Sequence, residues 1–258
     1  MPSNSTISKK ITITHLTRMT YPYICIAGYD VSNKDVSVNN HQIRPEFPYH
    51  ENNKKWELSD LRNIELYRTY EFQGHFQSSC HSKEDFVFEN YKLIPDQGNI
   101  EESVDKFNNL FPNLLTDNYE RFTDNYKESI IRKAENIPSL EKINIKRSPY
   151  YLESKFTTNN DFNSLGTVEI DGFIYYQKKS FNKDSYEQRV ILYFNGDAFD
   201  LKITDYRFYN QLDNFNNIPR EQIINRFKES SILLVSVGLT KPFKGKRWLQ
   251  LNNFHFEN

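Results

Sequence analysis

Runs of β-branched and apolar residues broken by single glycines stand at both ends of this chain, and they restrict it to short, twisted β-strands. The first run leads from Thr14 to Cys25-Ile-Ala-Gly-Tyr-Asp-Val31 and is closed by His41-Gln-Ile-Arg-Pro45. The second leads from Ile203-Thr-Asp-Tyr-Arg207 to Leu233-Leu-Val-Ser-Val-Gly-Leu-Thr-Lys-Pro-Phe243 and Arg247-Trp-Leu-Gln-Leu251. A residue with no Cβ inside a strand marks a bulge or a close backbone approach, and Gly28 is such a position. Arginine or lysine follows each apolar run. The pattern is that of a small β-barrel at each end of one polypeptide.

The strands follow from alternation. Ile11, Ile13 and His15 face one way over residues 10–16, and Thr12, Thr14 and Leu16 the other. Residues 23–31, 36–43, 64–72 and 85–94 complete a five-stranded first unit that closes near Pro95. From Pro149 the strand signal returns over residues 150–156, 167–179, 187–194, 199–204, 232–237 and 247–254. Asp171-Gly172 and Asn195-Gly196 each stand between alternating runs and read as hairpin turns. Between the two β units, Asn99 caps a predicted helix carrying Glu101 and Glu102 in its first turn, with Val104, Phe107, Leu110 and Phe111 at helical spacing. A second predicted helix covers residues 117–136. A short third one opens with Pro219, a residue suited to the first turn.

These readings give a mainly β chain (α+β overall). Residues 1–96 form a first barrel, 97–147 a helical connecting segment and 148–258 a second barrel. Short, strongly twisted strands suit the oligonucleotide-binding (OB) type of barrel, with a pair of SH3-like barrels as the alternative. A chain of 258 residues is long enough for two such cores. Only 37% of residues are hydrophobic, and 17 Tyr, 20 Phe and 2 Trp supply the missing apolar area, since each aromatic buries a large surface.

The net charge of −1 excludes a bulk cationic field, so any nucleic acid must be held by a local patch. The 2 cysteines, Cys25 and Cys80, make no disulfide framework, and Cys25 lies in an apolar run as a free thiol, which suits a reducing cytoplasm. Residues 1–10 contain no apolar run of the signal-peptide kind. No stretch reaches the ~18 apolar residues that span a bilayer. The expectation is a cytoplasmic protein with no membrane partner.

A family resemblance rests on five segments. Thr17-Arg18, Cys25-Ile-Ala-Gly-Tyr-Asp-Val31 and Ile43-Arg44-Pro45 resemble the opening of prokaryotic proteins with a dual OB-containing domain. His81-Ser-Lys-Glu-Asp-Phe-Val87 resembles that family's His-x-Glu-Asp segment, with one residue more before the Glu-Asp pair. Leu201-Lys-Ile-Thr-Asp205 and Val235-Ser-Val-Gly-Leu-Thr-Lys-Pro-Phe243 resemble its two late strands. Tyr206 departs from the pattern, which has proline there. The resemblance implies tandem OB-type barrels, a nucleic-acid or nucleotide ligand, and a setting in prokaryotic conflict or defence systems beside an effector protein. It implies no catalysis.

Arg18 and Arg44 end neighbouring predicted strands, where two guanidiniums on one barrel rim can clamp a phosphate. The alternative is that each braces the fold through a carboxylate or carbonyl. Lys241, Lys244, Lys246 and Arg247 form the densest basic cluster, beside Phe243 and Trp248. Charge interleaved with aromatic rings suits single-stranded nucleic acid, in which bases stack and phosphates follow the cations. The alternative is a solvated hairpin whose rings enter the core. Gly245-Lys246 lacks the remainder of a phosphate-binding loop. His75, Cys80, His81, Glu84 and Asp85 match no zinc spacing, and Glu84 and Asp85 read as partners of an arginine. Asp200, Thr204 and Asp205 make only a thin acid cluster for metal-assisted phosphodiester chemistry, and Thr204-Asp205 reads rather as a turn or a helix cap.

The sequence thus predicts a non-enzymatic module that binds single-stranded nucleic acid or a nucleotide through Arg18, Arg44, Lys241, Arg247 and Trp248. It has no catalytic residues, no metal site and no cofactor, and acts as sensor or adaptor for a partner effector. The alternatives are a protein-interaction module without nucleic-acid affinity and a metal-dependent nuclease using the acidic residues.

Overall fold

Ile11, Ile13, Ile24, Ile26, Ile43, Phe72, Phe86 and Phe88 all point into one core, because the strands that carry them close into a barrel. The computed structural model describes residues 5–32, 42–48, 54–76, 84–97, 119–121, 130–132, 144–152, 164–179, 186–194, 196–212 and 219–256. The barrel strands are β1 (Ile7–Arg18), β2 (Ile24–Asp30), β3 (Gln42–Glu46), β4 (Arg68–Phe76) and β5 (Asp85–Gln97). They close in the order β1-β2-β3-β5-β4. All neighbours are antiparallel except β3 and β5, where Arg44 faces Asp85 in a parallel pair.

Closure requires strong bending, which bulges supply. The register of β1 slips between Ile13 and His15, opposite Gly28 and Ala27. A Cβ on Gly28 would collide with the Thr12 carbonyl and meet Ile11 Cγ2 at 2.8 Å, so the close approach expected there is present. Trp56, which stacks on Phe88 at 5.1 Å, plugs the barrel, and its indole N–H donates to the Pro45 carbonyl at 2.8 Å.

The second unit is a 10-stranded sheet. Its strands are β6 (Tyr119–Arg121), β7 (Ile130–Arg132), β8 (Asn144–Arg147), β9 (Tyr150–Leu152), β10 (Leu165–Glu169), β11 (Gly172–Lys179), β12 (Tyr186–Phe194), β13 (Asp197–Ile203), β14 (Leu234–Leu239) and β15 (Lys246–His255). The main path is β10-β14-β15-β13-β12-β11-β7; β8 joins β13 and β6, and β9 joins β15. The helix α1 (Arg220–Glu229) follows Pro219 as the sequence predicts, and buries Ile223, Ile224 and Phe227. Phe227 lies 5.0 Å from Phe173 and 4.8 Å from Phe254, so α1 covers the core of this sheet. The ladder does not close among the described residues.

Two local expectations differ from the structure. Asp171-Gly172 is not a hairpin, because β10 pairs with β14 while β11 pairs with β12. The Ile170 N–H donates to Leu233 O and the Asp171 N–H to Tyr193 O, so the chain there turns a corner between opposite ends of a curled sheet. Within 117–136, where a helix was expected, the described pieces are β6 and β7, paired to β8 and β11. The helix expected from Asn99 lies outside the described residues. Gly196 does sit between the paired strands β12 and β13, at φ +82°.

The units meet along a polar seam. Thr17 bridges Asp205, and the Arg18 N–H donates to Thr204 O at 2.7 Å. The Ser164 N–H donates to Glu84 Oε1 at 3.0 Å. Tyr206 leaves the second unit and enters the barrel core.

Candidate functional site

The β14–β15 hairpin builds an exposed basic and aromatic surface. Phe243 and Lys246 exchange backbone hydrogen bonds of 2.8 and 3.1 Å around Lys244 and Gly245. Both central residues have positive φ, +51° and +71°. A two-residue loop of that kind matches the right-handed twist of its strands. Strand alternation then sorts the side chains: Arg247, Leu249 and Leu251 are buried, whereas Lys246, Trp248 and Gln250 lie on the partly open face.

On that face Trp248 stands between two rings, 6.3 Å from Phe243 and 6.3 Å from Tyr150. Phe243 is 62% exposed, so its ring is not part of the core. Lys246 Nζ lies 4.1 Å from the Tyr150 ring centre, and Lys244 Nζ 5.5 Å from that of Phe243. Lys241 is also exposed and places Nζ 3.7 Å from Glu46 Oε1, reaching from the hairpin to the end of β3 on the barrel.

A second group of the same composition sits on the barrel. Lys55 Nζ lies 5.1 Å from the Tyr23 ring centre, and Lys54 Nζ 4.4 Å from that of Phe47. Tyr21 is 65% exposed beside them in sequence. Sequence reading missed this group because its lysines and rings come from segments far apart in the chain. The backbone joins those segments, with Ile24 N–H donating to Trp56 O and Tyr23 bridging Glu57.

The predicted site residues therefore separate. Lys241 and Trp248 come together on the hairpin surface. Arg247 belongs to the opposite face of the same strand and is only 2% exposed. Arg18 lies at the seam, its guanidinium 4.3 Å above the ring of Tyr209. Burial pushes the Tyr209 hydroxyl up to about 12, with Arg18 pulling against it. That hydroxyl donates to Ile203 O at 2.6 Å.

Arg44 is buried among carboxylates. Its Nε and Nη2 each lie 2.5 Å from Asp85 Oδ1, with Glu46 at 3.5 Å and Glu84 at 3.8 Å. Burial opposes its charge, and Glu84, Asp85 and Glu46 more than offset that, so the guanidinium stays firmly protonated. Burial pushes the Asp85 carboxyl up despite Arg44, with Glu84 adding to the rise. The expectation that Glu84 and Asp85 serve an arginine is met, and Arg44 is a brace between β3 and β5. Burial likewise raises the nearby Cys25 thiol, with Arg44 and Lys241 pulling it down.

The other acids are engaged in the same way. Asp200 Oδ1 accepts from Arg189 Nε at 2.9 Å and from the Tyr176 hydroxyl at 2.7 Å. Asp205 Oδ1 accepts from the Arg207 N–H at 3.0 Å, opening the 3-10 turn Tyr206–Leu212, while its Oδ2 accepts from Arg207 Nη2 at 2.7 Å. Among the described residues no group of three or more His, Cys, Asp or Glu is placed to hold a metal ion, and Cys80 and His81 lie outside those residues.

Comparison with known proteins adds no relative: no family model, no curated protein and no solved structure matches this chain.

Proposed function

We propose that this protein is a non-enzymatic module that binds single-stranded nucleic acid or a nucleotide. It would act as a sensor or adaptor for a partner effector in a prokaryotic defence setting. The observation that carries the reading is the row Phe243–Trp248–Tyr150 with Lys244 and Lys246 over its rings, and Lys241 nearby on the same hairpin. The exposed Phe243 ring and the half-buried Trp248 and Tyr150 rings offer stacking surfaces that only unpaired bases can use, and the lysines supply charge along a backbone. The five-stranded barrel with its parallel β3–β5 pair supports the OB-type reading of the first unit, a fold used for oligonucleotides. Carboxylates locked to Arg44, Arg189 and Arg207 favour binding over hydrolysis as their role is structural.

Fluorescence anisotropy with labelled single-stranded DNA, single-stranded RNA and duplex, at two salt concentrations, tests the reading. Salt-sensitive binding to a single strand, weakened at least ~10-fold in Phe243→Ala/Lys244→Glu, supports it, since stacking on one ring contributes ~1–3 kcal/mol per base. Wild-type affinity in that folded variant would remove the hairpin from the site. The net charge of −1 favours the alternative of a protein-interaction module, for which capture of a partner would be insensitive to salt and no oligonucleotide would bind.

A further inference from the structure

The hairpin surface does not end at the hairpin. Lys241 leaves it and reaches Glu46, which Arg44 also approaches, so this carboxylate is flanked by two cations. Tyr23 and Cys25 are alternate residues of one extended segment. Both are half-buried, while Ile24 and Ile26 between and beyond them enter the core, so Tyr23 and Cys25 share the outer face of the barrel. Lys55 covers the Tyr23 ring, and Tyr21 follows at the turn. Phe47, next to Glu46, carries Lys54. The two groups are linked through the Lys241–Glu46 contact and the Glu46–Phe47 step of the chain. The two groups carry Lys54, Lys55, Lys244 and Lys246 beside rings, and Lys241 beside Glu46.

Resting on the nucleic-acid reading above, we propose that the ligand is a single strand several nucleotides long. It lies across both units from Phe243 and Trp248, past Lys241, to Tyr23, Lys55 and Tyr21. A mononucleotide would occupy one ring and gain nothing from the second group. A strand gains from both, because the two groups are tethered and the second engagement is intramolecular. The seam beneath the path ties the units together through Thr17–Asp205 and Glu84–Ser164, which keeps the two groups at a fixed spacing.

The test is affinity against length, using homopolymeric deoxythymidine and uridine strands from about 4 to about 30 nucleotides, a range that brackets known single-strand site sizes. Wild-type protein should bind long strands at least ~10-fold more tightly than short ones, beyond the statistical gain in start positions. The log–log salt slope for long strands should be near −3.5 if all five lysines neutralise phosphates, and near −2 for short strands on the three hairpin lysines, at about −0.7 per contact. Tyr21→Ala/Lys55→Glu, which alters exposed side chains, should keep short-strand affinity and lose the length gain. Phe243→Ala/Lys244→Glu should lose both. Length-independent binding, or an unchanged length gain in Tyr21→Ala/Lys55→Glu, overturns this proposal and leaves the hairpin site standing. No binding at any length overturns both.

Discussion

The Tyr67 hydroxyl meets Nδ1 of His255 at 3.0 Å, joining the approach to β4 to the end of β15 across 188 residues of chain. His255 Nε2 lies 2.6 Å from Ser236 Oγ, which is 3.0 Å from Thr167 Oγ1, so the contact continues into the second sheet. Tyr67 holds φ +62°, a conformation costly for a residue with a Cβ, and its N–H donates to Ile13 O. Burial pushes its hydroxyl up to about 12. Tyr67→Phe removes the hydroxyl and keeps the ring. The expected loss is about 1–3 kcal/mol, because a buried polar partner is left behind. It should show as a lower urea midpoint with an unchanged slope, and an unchanged midpoint would mean the seam does not depend on this bond.

Two histidines in this region set the response to acid. Burial, with Arg44 beyond it, lowers the His15 pKa to about 3. Burial, then His15 and Arg207, hold His255 well below its ordinary value. Each takes up a proton more readily unfolded than folded. The stability they allow is complete above pH ~6.5 and is lost as pH falls towards the folded values, at up to about 1.4 kcal/mol per pH unit per histidine. The midpoint of urea unfolding should therefore drop between pH 7 and pH 5. His15→Gln should make that drop shallower, and a slope equal to wild type would assign the acid response elsewhere.

Arg44 illustrates what the sequence did and did not reveal. Its place at a strand end and the acids at positions 84 and 85 were legible, and they meet as a buried ion group. That its position is buried rather than on a rim was not, because the parallel pairing of β3 with β5 has no local signal. The lysine neighbours of Arg247 suggest a surface position, but period-two alternation on β15 turns it inward beside an outward Trp248. Asp171-Gly172 carries hairpin chemistry, yet β10 and β11 find partners on opposite ends of the sheet. Local turn propensity cannot express that choice. Tyr119, Tyr126 and Ile130 recur at a spacing that suits a helix, and pairing with β8 and β11 overrides it in the described pieces. The Tyr23–Lys55 group had no sequence signal, since only the backbone bridge at Glu57 brings its parts together.

The same arginine gives a sharp stability test. Arg44→Met leaves Glu84, Asp85 and Glu46 without their shared cation, in surroundings that already push Asp85 towards its protonated form. Removing one partner of a buried ion group costs about 3–5 kcal/mol. Adding Asp85→Leu should recover part of that loss, because one of the stranded charges is gone. A double variant no more stable than Arg44→Met would show that Asp85 is not the main partner.

Lys244 separates stability from binding most cleanly. It occupies the first central position of its hairpin at φ +51°, beside Gly245 at φ +71°. Asparagine fits a left-handed backbone better than lysine, because its short side chain bonds locally. Lys244→Asn should therefore stabilise the fold by about 0.5–1 kcal/mol, read as a higher melting temperature. The same change removes one cation from beside Phe243, so the log–log salt slope of single-strand binding should fall in magnitude by about 0.7. A tip more stable yet weaker in binding would mean that the lysine is kept at a strained position for its charge. A tip more stable with an unaltered salt slope would show instead that Lys244 meets no phosphate, and would confine the hairpin's contacts to Lys241 and Lys246.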